Sequence, residues 1–416
     1  MKGNITVKQK VKLGIIGVGC RGTSLLGLLL QMDDVEIVGL CDVYKDRVDA
    51  AVKLITEKGK KAPKTSLDYR DILDIKNMDG VMIFSSWTSH VPIILDAMEA
   101  GKYAATEVGG ACSIEQCWDL VRTCRRTGQP CMFLENACYG REIMTVLNMV
   151  RQGLFGELVH AEAGYRHDLR DEISLGHVKR HYRLDNYLHR NGDVYPTHDL
   201  GPIAKFMNIN RGNRMLSLVS IASKSAGLNG WSQTNKGADQ DYSHYRFPMG
   251  DVITTIIKCA HGETITLFHD TSLPRPYSRA NRLQGSKGIW QEDKKDIYSI
   301  YLEGISPKHD AWDDFNDYYD RYEHPLWVKY RTEGVKAGHG GKDWLTLRAY
   351  VESVKRGEEP PIDVYDAASW MAVTTLSEDS VAMGGAPVAI PDFTNGAWIN
   401  RKLPKKSMYS LDNWEV

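Results

Sequence analysis

At 416 residues the chain exceeds what one ordinary hydrophobic core supports, so two domains are expected. Hydrophobic residues make up 42% and charged ones 25%, and the net charge of -1 gives no global attraction to nucleic acid or an anionic membrane. Eight cysteines without a C-x-x-C pair read as thiols of a reducing compartment rather than as a disulfide framework or a zinc site. No run approaches the roughly 18 apolar residues of a spanning helix, and Met1–Lys10 is polar, without the apolar core of a leader. As written the protein reads as cytoplasmic, or as periplasmic if a leader once preceded it.

The first predicted element, Val11–Gly17, is a short buried strand that runs into Gly17-Val-Gly19-Cys-Arg-Gly22. A second, Val35–Cys41, ends in Asp42. Strand, G-x-G-x-x-G turn and an acid about twenty residues on make the dinucleotide-binding fingerprint. Gly17 permits the tight turn, Gly19 admits a pyrophosphate to the backbone, and Gly22 lets the next helix pack close. The pyrophosphate then lies at that helix's N-terminus. Asp42 suits a ribose 2′-hydroxyl and repels a 2′-phosphate, which favours NAD over NADP. A purely structural glycine turn would need neither the strand nor the acid.

Further strands are expected at Gly80–Ser85, Lys102–Thr106 and Pro130–Leu134. Helices are expected from about Pro92 to Ala100, from Ser113 (as cap) to Thr127, and from Arg141 to Gln152, ending at Gly153. This alternation predicts an α/β chain with a doubly wound, parallel Rossmann sheet over residues 1–140. Beyond it, Leu216–Ser220, Val252–Lys258 and Thr264–Phe268 follow one another without comparable helices. They predict an α+β substrate domain over 141–416, with an open, largely antiparallel sheet. Gly227–Asp241 reads as a mobile loop, and Asp293–Tyr330 as irregular structure. Two helices, near Asp343–Arg356 and Val364–Met383, are expected to close the chain and brace the first domain.

A nicotinamide needs a substrate C–H against its C4 and a base for the accompanying proton. In open α/β sheets that place lies beyond the strand ends. Trp87 and His90 follow one such end and would pack on the cofactor, with ordinary loop packing as the competing reading. Glu107, at another, would bond the nicotinamide ribose. The tract from His160 to His198 holds six of the 13 histidines, together with Tyr165, Tyr182, Tyr187 and Tyr195. His198, in Tyr195-Pro-Thr-His198, stands at a helix start, where the dipole favours the neutral imidazole a general base needs. His160, His177 and His181 read as surface polar residues, and no metal site is expected. A third cluster, His269 to Arg279, is stiffened by two prolines that would hold Arg275 and Tyr277 for a polyhydroxylated ligand.

Several long phrases carry a resemblance. They include Leu134-Glu-Asn-Ala-Cys-Tyr-Gly-Arg141, Asn191-Gly-Asp-Val-Tyr-Pro-Thr-His198, Leu273-Pro-Arg-Pro-Tyr-Ser-Arg279 and Gly385-Ala-Pro-Val-Ala-Ile-Pro-Asp-Phe393. In these the chain resembles the Gfo/Idh/MocA superfamily and, more narrowly, glycoside hydrolase family 109, the NAD-dependent α-N-acetylgalactosaminidases. The resemblance implies cofactor contacts at Cys20, Arg21, Asp42, Trp87, Thr88, Ser89, His90, Glu107, Val108 and Asn136. It implies substrate contacts at Tyr165, Arg183, Tyr195, Pro196, Thr197, His198 and Tyr277. Asn136 and Arg183 enter through the resemblance alone. Sugar dehydrogenases of the superfamily carry Glu-Lys-Pro where this chain has Glu107-Val108-Gly109, so their lysine is missing here.

The implied mechanism is redox-neutral. Tightly bound NAD⁺ takes a hydride from sugar C3 while His198 or Tyr195 takes the O3 proton. Tyr277 or Tyr165 then removes the acidified C2 proton, the aglycone leaves, water adds at C1, and the hydride returns. An NAD-dependent sugar or cyclitol dehydrogenase is the alternative, and a non-catalytic NAD-binding sugar sensor a third reading. The expected partner is a small-molecule or glycan substrate, with no nucleic acid and no membrane. The superfamily's open sheet also offers a face for a homo-oligomer.

Overall fold

The computed structural model of the chain describes residues 8–234, 245–335 and 338–414. It divides into two compact units. The first holds Met1–Arg141, Pro325–Ala368 and Lys402–Val416; the second holds Glu142–His324 and Ser369–Arg401.

The first unit alternates β1 (Val11–Ile16), α1 (Cys20–Leu29), β2 (Val35–Cys41), α2 (Lys45–Glu57), β3 (Lys64–Ser66) and α3 (Arg70–Leu73). It continues through β4 (Gly80–Ile83), α4 (Trp87–Glu99), β5 (Tyr103–Thr106), α5 (Ile114–Thr127) and β6 (Cys131–Phe133). The six strands form one sheet in the order β3-β2-β1-β4-β5-β6, every neighbouring pair parallel. Consecutive Val81, Met82 and Ile83 are all buried, so the central strand is covered on both faces, as a parallel sheet requires. Strand order reverses between β1 and β4, and the crevice beyond their carboxyl ends is where such sheets bind ligands. Helix α5 is capped as expected: Ser113 Oγ accepts from Gln116 N–H at 3.2 Å, and Gly128 closes it with φ 67°.

One boundary differs from the reading above. Helix α4 starts at Trp87, five residues before Pro92, which lies inside it. Proline near a helix start reads as the first helical position. Here it sits in the second turn, and the carbonyl it leaves unpaired belongs to Thr88, an exposed residue that water can serve. The segment 87–90 is therefore the first helical turn and not a loop.

The second unit begins with α6 (Arg141–Arg151), β7 (Leu158–Arg166), and the short helices α7 (Arg170–Ser174), α8 (Gly176–Lys179), α9 (Arg183–His189) and α10 (Thr197–Phe206). Then come β8 (Met215–Ala222), α11 (Gly227–Thr234), β9 (Val252–Cys259), β10 (Thr264–Asp270), β11 (Arg282–Gly285), β12 (Gly288–Lys294), β13 (Ile297–Leu302), β14 (Asp313–Asp314) and α12 (Tyr319–Tyr322). Chain order closes with α13 (Pro325–Glu333) and α14 (Lys342–Arg356), both in the first unit, then α15 (Val364–Ala382) and β15 (Val388–Ala389). The nine-stranded sheet runs β14-β13-β12-β11-β7-β10-β9-β8-β15, antiparallel throughout except for the parallel pair of β7 and β10.

Two further expectations are corrected. Gly227–Thr234 of the expected loop is helical, and the rest of that stretch, 235–241, lies outside the described residues. Asp293–Tyr330 is ordered: β12 and β13 pair as a hairpin, and α12 and α13 follow. Its strand signal is hidden because Ile297–Leu302 carries a tyrosine and an isoleucine on each face, so polarity does not alternate. The hairpin is instead held by rings, with Trp290 fully buried, stacked 5.3 Å from Tyr298 and tilted against Phe315 at 5.9 Å. All eight cysteines are unpaired, and among the described residues no helix is long and apolar enough to cross a membrane.

Replacing Trp290→Ala removes a large, fully buried ring from this cluster and is expected to cost about 3–5 kcal/mol. Chemical denaturation of the variant checks it; a midpoint unchanged from the parent would show that the hairpin does not depend on the ring.

Candidate active site

In the first unit the glycine turn is set by close backbone contacts. Gly17 has φ 91°, and a Cβ there would lie 2.6 Å from the Phe84 backbone at the end of β4. A Cβ on Gly22 would stand 2.1 Å from the Gly17 carbonyl oxygen. Gly19 differs: its Cβ would meet only the mobile end of Arg47, at 3.3 Å. Packing does not demand glycine there, and the space it leaves open lies at the start of α1, where a pyrophosphate belongs. Asp42, buried at the end of β2, accepts from Val18 N–H at 2.9 Å and Tyr44 N–H at 3.0 Å. It braces the glycine turn and keeps lone pairs for a ribose hydroxyl. These residues fit an NAD-type dinucleotide.

Trp87 and His90 are buried beneath the loop 107–110. The Trp87 indole N–H donates to Val108 O at 3.1 Å, and His90 Nδ1 and Nε2 each lie 3.0 Å from a carbonyl, of Gly109 and Ser85. Burial holds the His90 pKa below its ordinary value. Glycine is required opposite both rings, since Cβ atoms on Gly109 and Gly110 would stand 2.7 Å from Trp87 and His90. The rings thus pack as loop supports, and what the segment presents outward is Thr88 and Ser89 on the first turn of α4.

Glu107 accepts from Arg21 Nε at 2.9 Å and from Val108 N–H at 3.0 Å. Arg21 also forms a two-pronged pair with Asp343, at 2.7 and 2.8 Å. The Asn136 amide donates to Asp343 Oδ1 at 2.6 Å, and His339 Nδ1 lies 2.7 Å from Oδ2. Burial alone would raise the Asp343 carboxyl; hydrogen bonds from Arg21 and His339 more than reverse this and hold it well below the carboxylate range. The expected residues Arg21, Glu107 and Asn136 are therefore one cluster with Asp343 at its hub. Asp343 and His339 escaped sequence reasoning. Their available signal was the glycine-rich run Gly338-His-Gly-Gly-Lys-Asp343 just before α14.

The second unit gathers its predicted residues at the end of β7 and the start of α10, a helix that packs on β7 and β10. Tyr195 Oη lies 3.1 Å from His198 Nε2, and the Tyr165 and Tyr195 rings meet at 4.7 Å. The Arg183 guanidinium stands 5.0 Å from the Tyr195 ring and 5.8 Å from Tyr165, while its Nε lies 2.8 Å from Glu172. Tyr277 Oη accepts from Arg279 Nε at 2.8 Å, and Arg279 donates to the His198 carbonyl at 2.9 Å. Tyr195, Pro196 and Thr197 are buried, and His198 is the half-buried member of that tetrad. Behind the rings, His269 pairs in register with Tyr165 and lies 2.8 Å from the Tyr187 hydroxyl and 3.6 Å from Asp193. Arg275 pairs with Asp270. His177 is exposed, as expected; His160 and His181 are half-buried, on Thr264 and beside Tyr182. Arg279 and His167 were missed.

A family model described as "Glycosyl hydrolase 109, C-terminal domain" matches residues 139–400. The chain belongs to glycosyl hydrolase family 109. A second model, "Oxidoreductase family, NAD-binding Rossmann fold", matches residues 11–134, so the first sheet is that of an NAD-binding domain. A family 109 protein of Stenotrophomonas maltophilia (strain K279a) is 43% identical over 95% of this chain and 91% of its own. The α-N-acetylgalactosaminidase of Tannerella forsythia is 40% identical over 94% and 88%. A levoglucosan dehydrogenase solved with NADH and levoglucosan shares the fold, with TM-score 0.70 and 16% identity over 92% of this chain and 100% of that one.

Asp343→Ala is expected to weaken NADH binding about tenfold or more, because a charge-assisted hydrogen bond carries ~1.5–3 kcal/mol and Arg21 and Asn136, both expected at the cofactor, lose theirs together. Titration of NADH fluorescence measures it, and an unaltered Kd would dismiss the hub.

Proposed function

We propose that this NAD-dependent glycosidase cleaves terminal α-N-acetylgalactosaminides in a redox-neutral cycle. The observation that carries the reading is the Tyr195–His198 pair beside Arg183 and two further tyrosines, in a chain with no lysine at Glu107-Val108-Gly109. Relatives 40% identical and named α-N-acetylgalactosaminidase support the sugar.

Gly17, Gly19, Cys20, Arg21, Gly22 and Asp42 would hold the pyrophosphate and adenosine ribose, with Thr88, Ser89, Glu107, Val108 and Asn136 along the nicotinamide half. When bound, NAD⁺ supplies a reversible hydride acceptor for the sugar C3–H. His198 takes the O3 proton and returns it at the end, and Tyr195, 3.1 Å away, keeps the imidazole aligned. Arg183 binds sugar oxygens from a fixed pose, because Glu172 and the flanking rings leave it little freedom. Once C3 is a ketone the C2 hydrogen is acidic, and Tyr165 or Tyr277 removes it. A nearby carbonyl thus replaces the paired carboxylates of most glycosidases. The exposed Ile221 and Ile256 on the outer face of β8 and β9 favour self-association through that sheet.

Protein stripped of cofactor, assayed in chelator on nitrophenyl α-N-acetylgalactosaminide, is expected to release nitrophenol only when NAD⁺ is restored, without net NADH. His198→Ala is expected to lower release by about a hundredfold or more. NADH accumulating on free sugars without nitrophenol release would make the protein a dehydrogenase instead.

A further inference from the structure

The proposed C2 step has a difficulty. Tyr165 is buried, and burial pushes its phenol above the ordinary value, so it stays protonated and is a poor base alone. It needs an acceptor for its own proton. Among the described residues the hydrogen-bond partner of its hydroxyl is His167 Nδ1, at 3.5 Å, a length that catalytic contacts without substrate often show. Tyr165 lies in β7 and His167 one residue beyond its end, two positions on along the chain. The His167 backbone N–H is fixed on Asp270 O at 2.9 Å, and its ring lies edge-on to Tyr277 at 5.1 Å.

We propose that His167 is a further catalytic residue, the acceptor of a Tyr165–His167 relay that removes the C2 proton. The C2–H pair becomes the C1–C2 double bond, and the C1–O pair leaves with the aglycone. The C2 proton passes to Tyr165 Oη as that hydroxyl's proton passes to His167 Nδ1. The departing oxygen takes a proton from water and the imidazolium returns one to water, so protons balance. The assignment rests on the glycosidase reading.

Acceptance requires a neutral imidazole. Burial lowers the His167 pKa, Arg183 on α9 and Lys295 after β12 act in the same direction, and Glu172 on α7 and Asp168 oppose them. Tyr165 and Tyr277 are the titratable rings against it. Activity should therefore rise with pH through an acidic limb lying below the ordinary histidine range, and that limb should vanish in His167→Asn.

The test is made on the NAD-loaded protein with nitrophenyl α-N-acetylgalactosaminide in D₂O. Exchange at C2 is read by NMR, and NADH absorbance is followed after rapid mixing. His167→Asn is expected to slow release and C2 exchange about a hundredfold or more while NADH builds up, because C3 is still oxidised. Tyr165→Phe, which removes the donor and leaves the imidazole, should give the same block. Unchanged melting temperature and NADH affinity identify a folded variant. A folded His167→Asn or Tyr165→Phe protein that exchanges C2 at the parent rate overturns the relay. A parent protein that neither exchanges C2 nor releases nitrophenol overturns the glycosidase reading, and the relay falls with it.

Discussion

A charge taken out of water must be paired, and each unit of this chain is organised by one such charge. In the first it is Asp343, with a side chain 1% exposed, whose carboxylate is tolerable only because Arg21, His339 and Asn136 converge on it. Glu107 then completes the coordination of Arg21. In the second it is Arg183, 6% exposed, held by Glu172 and the faces of Tyr165 and Tyr195. Fixing the ion fixes its neighbours, and those neighbours are the residues assigned to cofactor and sugar. Their rotamers are set by electrostatics before any ligand arrives, which lowers the entropy cost of binding.

The sheets supply the coarse placement. Reversal of strand order between β1 and β4 brings the glycine turn against Phe84, and with it the start of α4. The parallel pairing of β7 with β10 in an otherwise antiparallel sheet sets Tyr165 beside His269. That pairing presents aromatic side chains, suited to the faces of a sugar, where helix α10 delivers Tyr195 and His198. A lysine at the end of β5 would add the acid–base group of a net dehydrogenase. The chain has none there, and under the proposed reading the tyrosines and histidines of the second unit move the protons.

What could be read from sequence was local. The glycine turn, Asp42, the cap of α5 and the Tyr195–His198 pair are set by spacings of a few residues, which survive without knowledge of the fold. The hub could not be read this way, because Asp343 meets Arg21 and Asn136 across 322 and 207 residues. No periodicity reports such a contact. His167 was visible in sequence but was one of six histidines in its tract, and only the fold just past β7, with its N–H on Asp270 O, brings its ring to the Tyr165 hydroxyl. Pro92 misled for a related reason: its position marks a helix start statistically, while burial of Trp87 and His90 decides where α4 begins. The hairpin of β12 and β13 is held by stacked rings rather than by alternating polarity, so the pattern that reveals most strands is missing there.

The central claim is that the sugar is oxidised and restored at C3 within one turnover. It is tested most directly with a substrate bearing deuterium at C3, turned over in ordinary water and analysed by mass spectrometry and NMR. The expected product is free N-acetylgalactosamine that retains the C3 deuterium while dilute bound NAD⁺ turns over many equivalents. In a parallel reaction in D₂O, the unlabelled substrate should acquire deuterium at C2. Product that keeps its original hydrogen at C2, formed equally well without NAD⁺, would mean direct displacement at C1 and would contradict the account.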